Sequence, residues 1–402
     1  MLLAVWLLGR LLNDRFLWSQ FVFWIPSIFT IVASGVLAVC ALSIQLLIRG
    51  YEQVRSGGPP EGRPPFYKRY VRNPYLLLCL VWTPPALYSG FVEHRLHAEW
   101  GLTTIVRSRL IPSNTIVFWN VGGRTGEGWV EPLRTLDADL TVVSNHPNWD
   151  AVNAFRTLET RADGTRSTNL LAGMYLVDTR LRLLEWGLHT LDIEKGLGFD
   201  VRRRDGRYTN LDPGYALYLV FDPAGTVKQG SGQPLVVWVL DLPSDPTLHR
   251  QRVAREARAA IESWRGVATV LSQPATETSP AEWSNVPAES LGRRGFPEPD
   301  VIIGDFNIPR GSHSLRHLVG DMSNAYDQAG AGYTASYPRR VPFAQLDGPG
   351  LIGIVRWLIP SDVPFFHIDQ TFIAPSLRAT RYRTIDLRSG THWAQFVEIQ
   401  SR

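Results

Sequence analysis

The stretch Val301-Ile302-Ile303-Gly304-Asp305-Phe306-Asn307 is a short apolar run that ends in a carboxylate and a carboxamide. Three consecutive branched apolar residues predict a buried β-strand. Side chains two residues apart on a strand share a face, so we expect Asp305 and Asn307 to point the same way while Phe306 turns into the core. A carboxylate can deprotonate water and an amide can donate a hydrogen bond, so this strand end suits acid–base chemistry, although such a pair can also cap a strand.

Strand-like and helical patterns alternate on both sides of that stretch. Strands are predicted at 115–119, 139–143, 216–221, 235–240, 372–374 and 394–399. Apolar residues recur at spacings of three and four from His249 to Trp264, which predicts a helix. Residues 273–299 are rich in Pro, Ser, Thr and Glu and predict a surface loop. Alternating strands and helices indicate an α/β fold for the C-terminal part of the chain.

The net charge does not indicate a nucleic-acid partner. The 402 residues carry 41 basic and 37 acidic side chains, a formal charge of +4. Residues 49–72 hold six basic residues against two acidic ones, so this segment accounts for the whole excess. Cys40 and Cys79 both lie in apolar stretches, which excludes a disulfide framework and a cysteine metal site.

Two uncharged runs near the N-terminus predict membrane spans. Residues 16–48 and 73–92 contain no formal charge, and a bilayer-spanning helix needs about 20 apolar residues. The prolines at 84 and 85 are expected to kink the second run. The alternative is a pair of buried core helices, an interpretation that we favour less than membrane-spanning helices. Residues 1–12 are too short to cross alone, and a partial span, an interfacial helix and the product of a misassigned start codon all stay open.

The basic segment between these runs predicts the orientation of the chain. Residues 49–72 are expected to remain in the cytoplasm by the positive-inside rule, and contact with anionic lipid headgroups is compatible with that position. We therefore expect a membrane region at 1–112, with spans at about 16–48 and 73–92, and a second domain at 113–402 outside the cytoplasm.

Polar residues follow several other strand-like runs. Asn120 ends the run at 115–119, Asp369 lies in His367-Ile368-Asp369-Gln370, and His392 precedes the last strand. Amide, carboxylate and imidazole groups at strand ends are the groups that a hydrolytic metal site uses.

In order and spacing these segments resemble the endonuclease/exonuclease/phosphatase superfamily, which comprises metal-dependent nucleases, sphingomyelinases, inositol-phosphate phosphatases and related hydrolases. The resemblance covers roughly residues 113–400 and is closest around Asp305 and in Thr334-Ala335-Ser336-Tyr337-Pro338, which leads toward Asp369. It implies two mixed β-sheets packed as a sandwich with outer helices, in four α/β/β/α layers. Membrane-anchored bacterial members are similar in layout, which implies an integral protein of a bacterial plasma membrane.

The resemblance also implies roles for individual residues. Asp305 and Asn307 would be the catalytic strand-end pair, and Asp369 and His392 would form a dyad that binds the scissile phosphate. Asn120 would contact the phosphate, or a metal ion together with Asp305. The expected cofactor is Mg²⁺ or Mn²⁺.

Three positions depart from the family pattern. Asn145 stands where members carry a metal-binding Glu, Asp241 where many carry a His, and Thr391 where an acidic residue usually precedes the last His. We expect Asn145 and Asp241 to contact substrate. Because two negative charges are lost and at most one is regained, we expect weaker binding of a divalent cation. His146 and Asp150 are candidate replacement ligands, but we favour their interpretation as ordinary loop residues.

Two functions of different classes follow. The first is a membrane-anchored, extracytoplasmic phosphoester hydrolase acting on a lipid-derived or small soluble substrate. The alternative is a catalytically degenerate protein that binds a ligand or partner without turnover. A nuclease is not favoured, because the soluble part is close to neutral and tracking a phosphate backbone requires positive charge.

Overall fold

The computed structural model describes residues 2–56, 82–96, 98, 112–122, 128–146, 152, 153, 155, 168–193, 212–274, 281–339 and 364–402. The chain divides into two compact units, Met1–Gly101 and Leu102–Arg402.

The first unit is helical. Helices α1 (Leu2–Leu12), α2 (Leu17–Phe23) and α3 (Ser27–Ser56) are followed by a π-helix at Tyr88–Glu93. No single described helix is both long and apolar enough to cross a bilayer, whereas Leu17–Phe23 and Ser27–Cys40, bent by 64°, meet that test as a pair. Of the predicted span 73–92, residues 73–81 lie outside the described residues, as do residues 57–72 of the basic segment.

The second unit contains two mixed β-sheets. The six-stranded sheet has the order β13-β14-β1-β2-β4-β3. Its strands are β1 (Ser113–Asn120), β2 (Leu140–Ser144), β3 (Thr168–Ala172), β4 (Tyr175–Thr179), β13 (Leu377–Ile385) and β14 (Ala394–Ser401). Strand β1 pairs parallel with β2 and antiparallel with β14.

The eight-stranded sheet has the order β11-β12-β10-β7-β6-β5-β8-β9. Its strands are β5 (Leu183–Thr190), β6 (Tyr215–Phe221), β7 (Leu235–Asp241), β8 (Val267–Gln273), β9 (Glu282–Pro287), β10 (Val301–Asp305), β11 (Ser323–Asn324) and β12 (Asp369–Ile373). Strand β10 pairs parallel with β7 and antiparallel with β12.

Alternating side chains place the two sheets face to face. Ile116 and Phe118 of β1 belong to one buried cluster with Leu217 of β6, Val237 of β7 and Ile303 of β10, so this cluster is the core between the sheets. The intervening residues of these strands face outward and are buried by helices. The predicted pair of mixed sheets is therefore confirmed.

Helices cover both outer faces of the sandwich. Helix α4 (Val130–Leu136) packs on the six-stranded sheet through Leu133, in one cluster with Trp119. Helix α5 (Arg250–Ser263) packs on the eight-stranded sheet through its apolar stripe, in one cluster with Trp238. The short helices α6 (Arg316–Val319) and α7 (Ala325–Ala329) follow β10. The layers of the second unit are thus helix, sheet, sheet and helix.

One predicted loop is wrong. Residues 273–299 contain β9 and a 3₁₀-helix at Ala288–Leu291. Strand β9 pairs with β8 at the end of the eight-stranded sheet, where its side chains are mostly exposed. An exposed edge strand needs no apolar alternation, so its sequence resembles that of a loop.

The strand directions gather polar residues at one edge. Parallel strands β7 and β10 end at Asp241 and Asp305, and the antiparallel strand β12 begins at Asp369. In the other sheet, β1 ends at Asn120 and His392 lies two residues before β14 begins. The carboxyl ends of some strands and the amino ends of others therefore meet at the same rim of the sandwich.

Candidate active site

Three carboxylates lie side by side on the eight-stranded sheet. Asp305 is in register with Asp241 on one side and with Asp369 on the other, and all three residues are buried. Asn120 reaches across from the six-stranded sheet, and its Nδ2 donates to Asp305 Oδ2 at 2.8 Å. The pocket is therefore built from both sheets.

The turn after β10 fixes Asp305. The backbone N–H of Asn307 donates to Asp305 Oδ1 at 2.9 Å, and the Asn307 side chain donates to Leu242 O at 2.7 Å. Asn307 has a φ of 49°, in the left-handed region, so the strand alternation ends before it. Its carboxamide nitrogen therefore binds the adjoining loop. This differs from our expectation that the side chains of Asp305 and Asn307 point the same way. A substrate contact by Asn307 stays a prediction.

Gly304 is required by the close approach of β10 and β7. A Cβ atom at this position would lie 1.9 Å from the carbonyl oxygen of Leu240. Only glycine therefore allows the backbone to bring Asp305 next to Asp241 at the end of the parallel pair.

Asp369 orients the imidazole of His392. The distance from His392 Nδ1 to Asp369 Oδ2 is 2.8 Å, and Trp119 Nε1 donates to the His392 carbonyl at 2.9 Å. With Nδ1 engaged, Nε2 lies 3.8 Å from Asp305 Oδ2, too far for a hydrogen bond. The structure thus brings together Asp305, Asp369 and His392, with the imidazole nitrogen and the carboxylate facing a common space.

Asn145 connects the two sheets through its amide group. Its Nδ2 donates to Asp241 Oδ2 at 2.7 Å and to Asn120 Oδ1 at 3.1 Å. Asn120 Oδ1 also accepts from the Gly122 N–H at 2.9 Å. The φ of Asn145 is 55°, a left-handed conformation that asparagine tolerates better than most residues. At this point of the pocket the chain therefore places N–H donors, not an anionic oxygen.

Burial and crowding of like charges perturb the ionisation of the pocket. Burial and then the neighbouring Asp369 carboxylate raise the pKa of Asp305, His392 and two hydrogen bonds oppose them, and the net value is about 7. Burial likewise raises the pKa of Asp241 well above its ordinary value, and the charge of Asp305 adds to the effect. Burial by itself lowers the pKa of His392, but the carboxylate of Asp369 and its hydrogen bond outweigh it, and the net direction is upward.

The pocket contains a donor set that fits a divalent cation. Asp305, Asp369 and His392 each offer one ligand atom, and these atoms lie within 4.8 Å of one another. Asp369 Oδ1 is buried, and no described residue donates a hydrogen bond to it. Carboxylate oxygens are the ligands that Mg²⁺ and Mn²⁺ prefer. Asn120, the second predicted ligand, directs its nitrogen toward Asp305 and its oxygen toward Asn145, so its metal contact stays a prediction.

The remaining candidates differ in what the structure shows. His146 Nδ1 is buried and accepts or donates no hydrogen bond within the described part of the chain. Asp150 lies outside the described residues. Sequence reasoning assigned no role to Tyr337, although it lies in the segment that carries the family resemblance. Its ring packs on that of His392, with 4.6 Å between the centroids.

No family model matches this sequence, and no curated protein matches it. Among solved structures, the chain is similar to an endonuclease/exonuclease/phosphatase family protein from Bacteroides thetaiotaomicron, with 14% identity, 71% of this chain and 97% of that chain covered, and a TM-score of 0.42. It is also similar to a mannosyl-6-phosphatase from the same species, with 14% identity, 71% and 99% coverage and a TM-score of 0.41. A third similar structure is the inositol polyphosphate 5-phosphatase domain of SPsynaptojanin in complex with inositol (1,4)-bisphosphate and calcium, with 12% identity, 76% and 92% coverage and a TM-score of 0.40.

Proposed function

We propose that the protein hydrolyses phosphate esters and that Asp305 activates the attacking water. The observation that carries the proposal is the convergence of Asp305, Asp369 and His392 around one buried space at the rim of the sandwich. A base beside an oriented imidazole, together with carboxylate oxygens that suit a divalent cation, is the combination that phosphoester hydrolysis needs.

The side chains of the pocket have different roles in the reaction. Asp305 Oδ2 takes the proton of the attacking water, a role that a positioned carboxylate can fill as a general base. Asp369 accepts a hydrogen bond from Nδ1 of His392, so Nε2 of the protonated imidazolium donates to a phosphoryl oxygen. Because burial excludes most water, these hydrogen bonds act in a medium where they stabilise developing charge more strongly.

Asp305 and Asp369 would hold Mg²⁺ or Mn²⁺ through carboxylate oxygens. The chemistry that such a cation supplies is neutralisation of the negative charge on the phosphoryl group. Asp369 Oδ1, which lacks a donor among the described residues, supports this assignment. A cation would also relieve the repulsion among the three adjacent carboxylates of this rim.

The test is hydrolysis by the purified full chain in detergent. p-Nitrophenyl phosphate and bis(p-nitrophenyl) phosphate probe monoester and diester cleavage, each with Mg²⁺, with Mn²⁺ and with chelator. We expect metal-dependent turnover that Asp305→Ala abolishes. Glu289→Ala is the matched control, because this exposed carboxylate pairs only with Arg265 among the residues for which an ion pair is described. Turnover that survives in Asp305→Ala would refute the assignment.

The hydrogen bonds of Asn145 favour a second candidate function, binding without turnover. Asn145 donates an N–H to both Asp241 and Asn120, which satisfies these groups without a cation. A protein that binds a phosphorylated ligand without turnover is therefore the alternative. Calorimetric titration with Mg²⁺ and Mn²⁺ distinguishes the two functions. The hydrolase requires specific binding of the cation that Asp305→Ala removes, whereas the binding protein requires no cation.

The proposed substrate is a lipid-derived or small soluble phosphoester, and the proposed location is a bacterial plasma membrane, with residues 113–402 outside the cytoplasm. Of the 26 exposed large apolar side chains in the described residues, 23 lie between residues 5 and 96. Water-exposed apolar surface on that scale favours contact with lipid. Membrane fractionation with alkaline carbonate and protease accessibility in intact cells test the location, and recovery of the full chain in the soluble fraction would refute it.

A further inference from the structure

Tyr337 is held beside His392 by the same segment that positions Asp369. The Tyr337 N–H donates to Phe366 O at 3.0 Å, and the Phe366 N–H donates to Tyr337 O at 2.7 Å. The preceding residue, Ser336, accepts from the Asp369 N–H at 3.3 Å. The Tyr337 ring then lies against the imidazole, with the two planes inclined by 40°. Its position is therefore fixed relative to both members of the Asp369–His392 pair.

The hydroxyl group of Tyr337 makes no hydrogen bond with any described residue, although the side chain is half-buried. Other tyrosines of the same unit do find acceptors. Tyr218 donates to Glu185, Tyr326 to Gly332 O, Tyr333 to Pro364 O and Tyr382 to Gln395. A half-buried phenol beside reactive groups, with a donor still available, is suited to a ligand that is not part of the chain.

The phenol lies at the edge of the pocket, because its ring packs on the imidazole of His392. A tyrosine hydroxyl is ordinarily protonated at neutral pH, so it offers a hydrogen atom to an acceptor. The ring also covers one side of His392, whose Nε2 lies 3.8 Å from Asp305 Oδ2 without a direct hydrogen bond.

We propose that Tyr337 is a further catalytic residue, whose hydroxyl donates to a nonbridging phosphoryl oxygen beside the donor Nε2 of His392. This inference rests on the proposed function and extends it, because it assigns a second donor for the charge that develops on the phosphoryl group. The phenolic proton stays on Tyr337 throughout, so no bond to it forms or breaks. Removal of one such donor costs about 10²–10³-fold in kcat in hydrolases that stabilise an oxyanion.

The experiment compares Tyr337→Phe with Tyr333→Phe in the full chain. Both substitutions remove one hydroxyl and keep the ring, and Tyr333 lies four residues earlier on the same segment, with its hydroxyl bonded to Pro364 O. We expect kcat to fall about 10²-fold in Tyr337→Phe and to change less than about twofold in the control. The substrates are aryl phosphates whose leaving groups differ in pKa.

Two kinetic outcomes would overturn the inference. The first is an unchanged kcat in Tyr337→Phe. The second is a loss that grows steeply as the leaving group becomes more basic, because that dependence assigns the hydroxyl to protonation of the leaving oxygen. A loss of equal size for all leaving groups supports donation to a nonbridging oxygen.

Titration with inorganic phosphate separates this inference from the proposed function. We expect wild type to bind phosphate and Tyr337→Phe to bind about tenfold more weakly, as for a lost hydrogen bond to a charged group. If wild type binds phosphate and Tyr337→Phe binds it equally well, the inference alone is wrong. If wild type neither hydrolyses the aryl phosphates nor binds phosphate, the proposed function is wrong and this inference with it.

Discussion

Asp305 should make the metal-free domain less stable as the pH rises, which is the reverse of the usual behaviour of a paired carboxylate. Its pKa is about 7 in the folded protein against an ordinary value of 3.8. Between these values the folded state binds the proton and the unfolded state does not, so the free energy of unfolding falls as pH rises from about 4 to 7 and levels off above. Each pKa unit corresponds to about 1.4 kcal/mol, so the total loss is about 4 kcal/mol.

Replacement by asparagine removes the titrating group but creates a local mismatch. The new Nδ2 would face Nδ2 of Asn120, which now donates to Asp305 Oδ2. An unsatisfied buried donor costs about 1–3 kcal/mol. At pH 4.5 wild type has already lost about 1 kcal/mol, so we expect Asp305→Asn to be less stable by up to about 2 kcal/mol there. At pH 8 we expect it to be more stable by about 1–3 kcal/mol, so that the two stability curves cross.

Hydrogen–deuterium exchange of the amides in β10 and β14 measures this difference in the full chain. The exchange is followed by mass spectrometry in the presence of chelator and corrected for the intrinsic exchange rate at each pH. Peptides from the helical unit report separately, so a single global transition is not assumed. Curves for wild type and Asp305→Asn that run parallel from pH 4.5 to 8 would refute the reasoning, as would a wild-type stability that rises with pH.

Three further changes test separate parts of the site. Asn145→Asp replaces a donor with a carboxylate, so we expect Mg²⁺ or Mn²⁺ to bind about tenfold more tightly by calorimetry, and unchanged affinity would mean that this position does not face the cation. Asp369→Asn removes the charge that raises the pKa of His392, so an NMR titration of the imidazole should show a lower pKa, and an unaltered value would exclude the described pairing. Gly304→Ala puts a Cβ atom 1.9 Å from Leu240 O, so we expect the free energy of unfolding in urea to fall by about 3 kcal/mol or more. A fall of less than about 1 kcal/mol would show that β10 and β7 can separate at this position.

The sequence predicts the strand that carries Asp305 because a buried strand contains a local run of apolar residues. Three branched apolar residues precede Gly304, and the strand β10 covers them. The sequence does not predict the direction of Asn307, because a left-handed turn interrupts the strand period one residue after Phe306. The contact of Asn145 with Asp241 is equally hidden, since the two residues are 96 positions apart and lie at the ends of strands in different sheets.

Strand β5 shows why some strands cannot be predicted from the sequence. Glu185 and Gly187 interrupt its apolar residues, and neither is typical of a strand interior. In the structure Glu185 accepts hydrogen bonds from the Tyr218 hydroxyl and from Arg293, which offsets the burial of its charge. A Cβ atom at Gly187 would lie 2.5 Å from the Tyr218 ring, so glycine makes room for that ring. Both exceptions depend on partners that are distant in the sequence.

The order of strands in the six-stranded sheet bears on how the protein is made. Strand β1 ends at Asn120, but its antiparallel neighbour β14 begins only at Ala394. A growing polypeptide therefore exposes one unpaired flank of β1 until β14 has been synthesised, and all strands of the eight-stranded sheet are made in between. His392 lies two residues before β14, so a nascent chain without that strand cannot yet hold the imidazole at the rim of the sandwich.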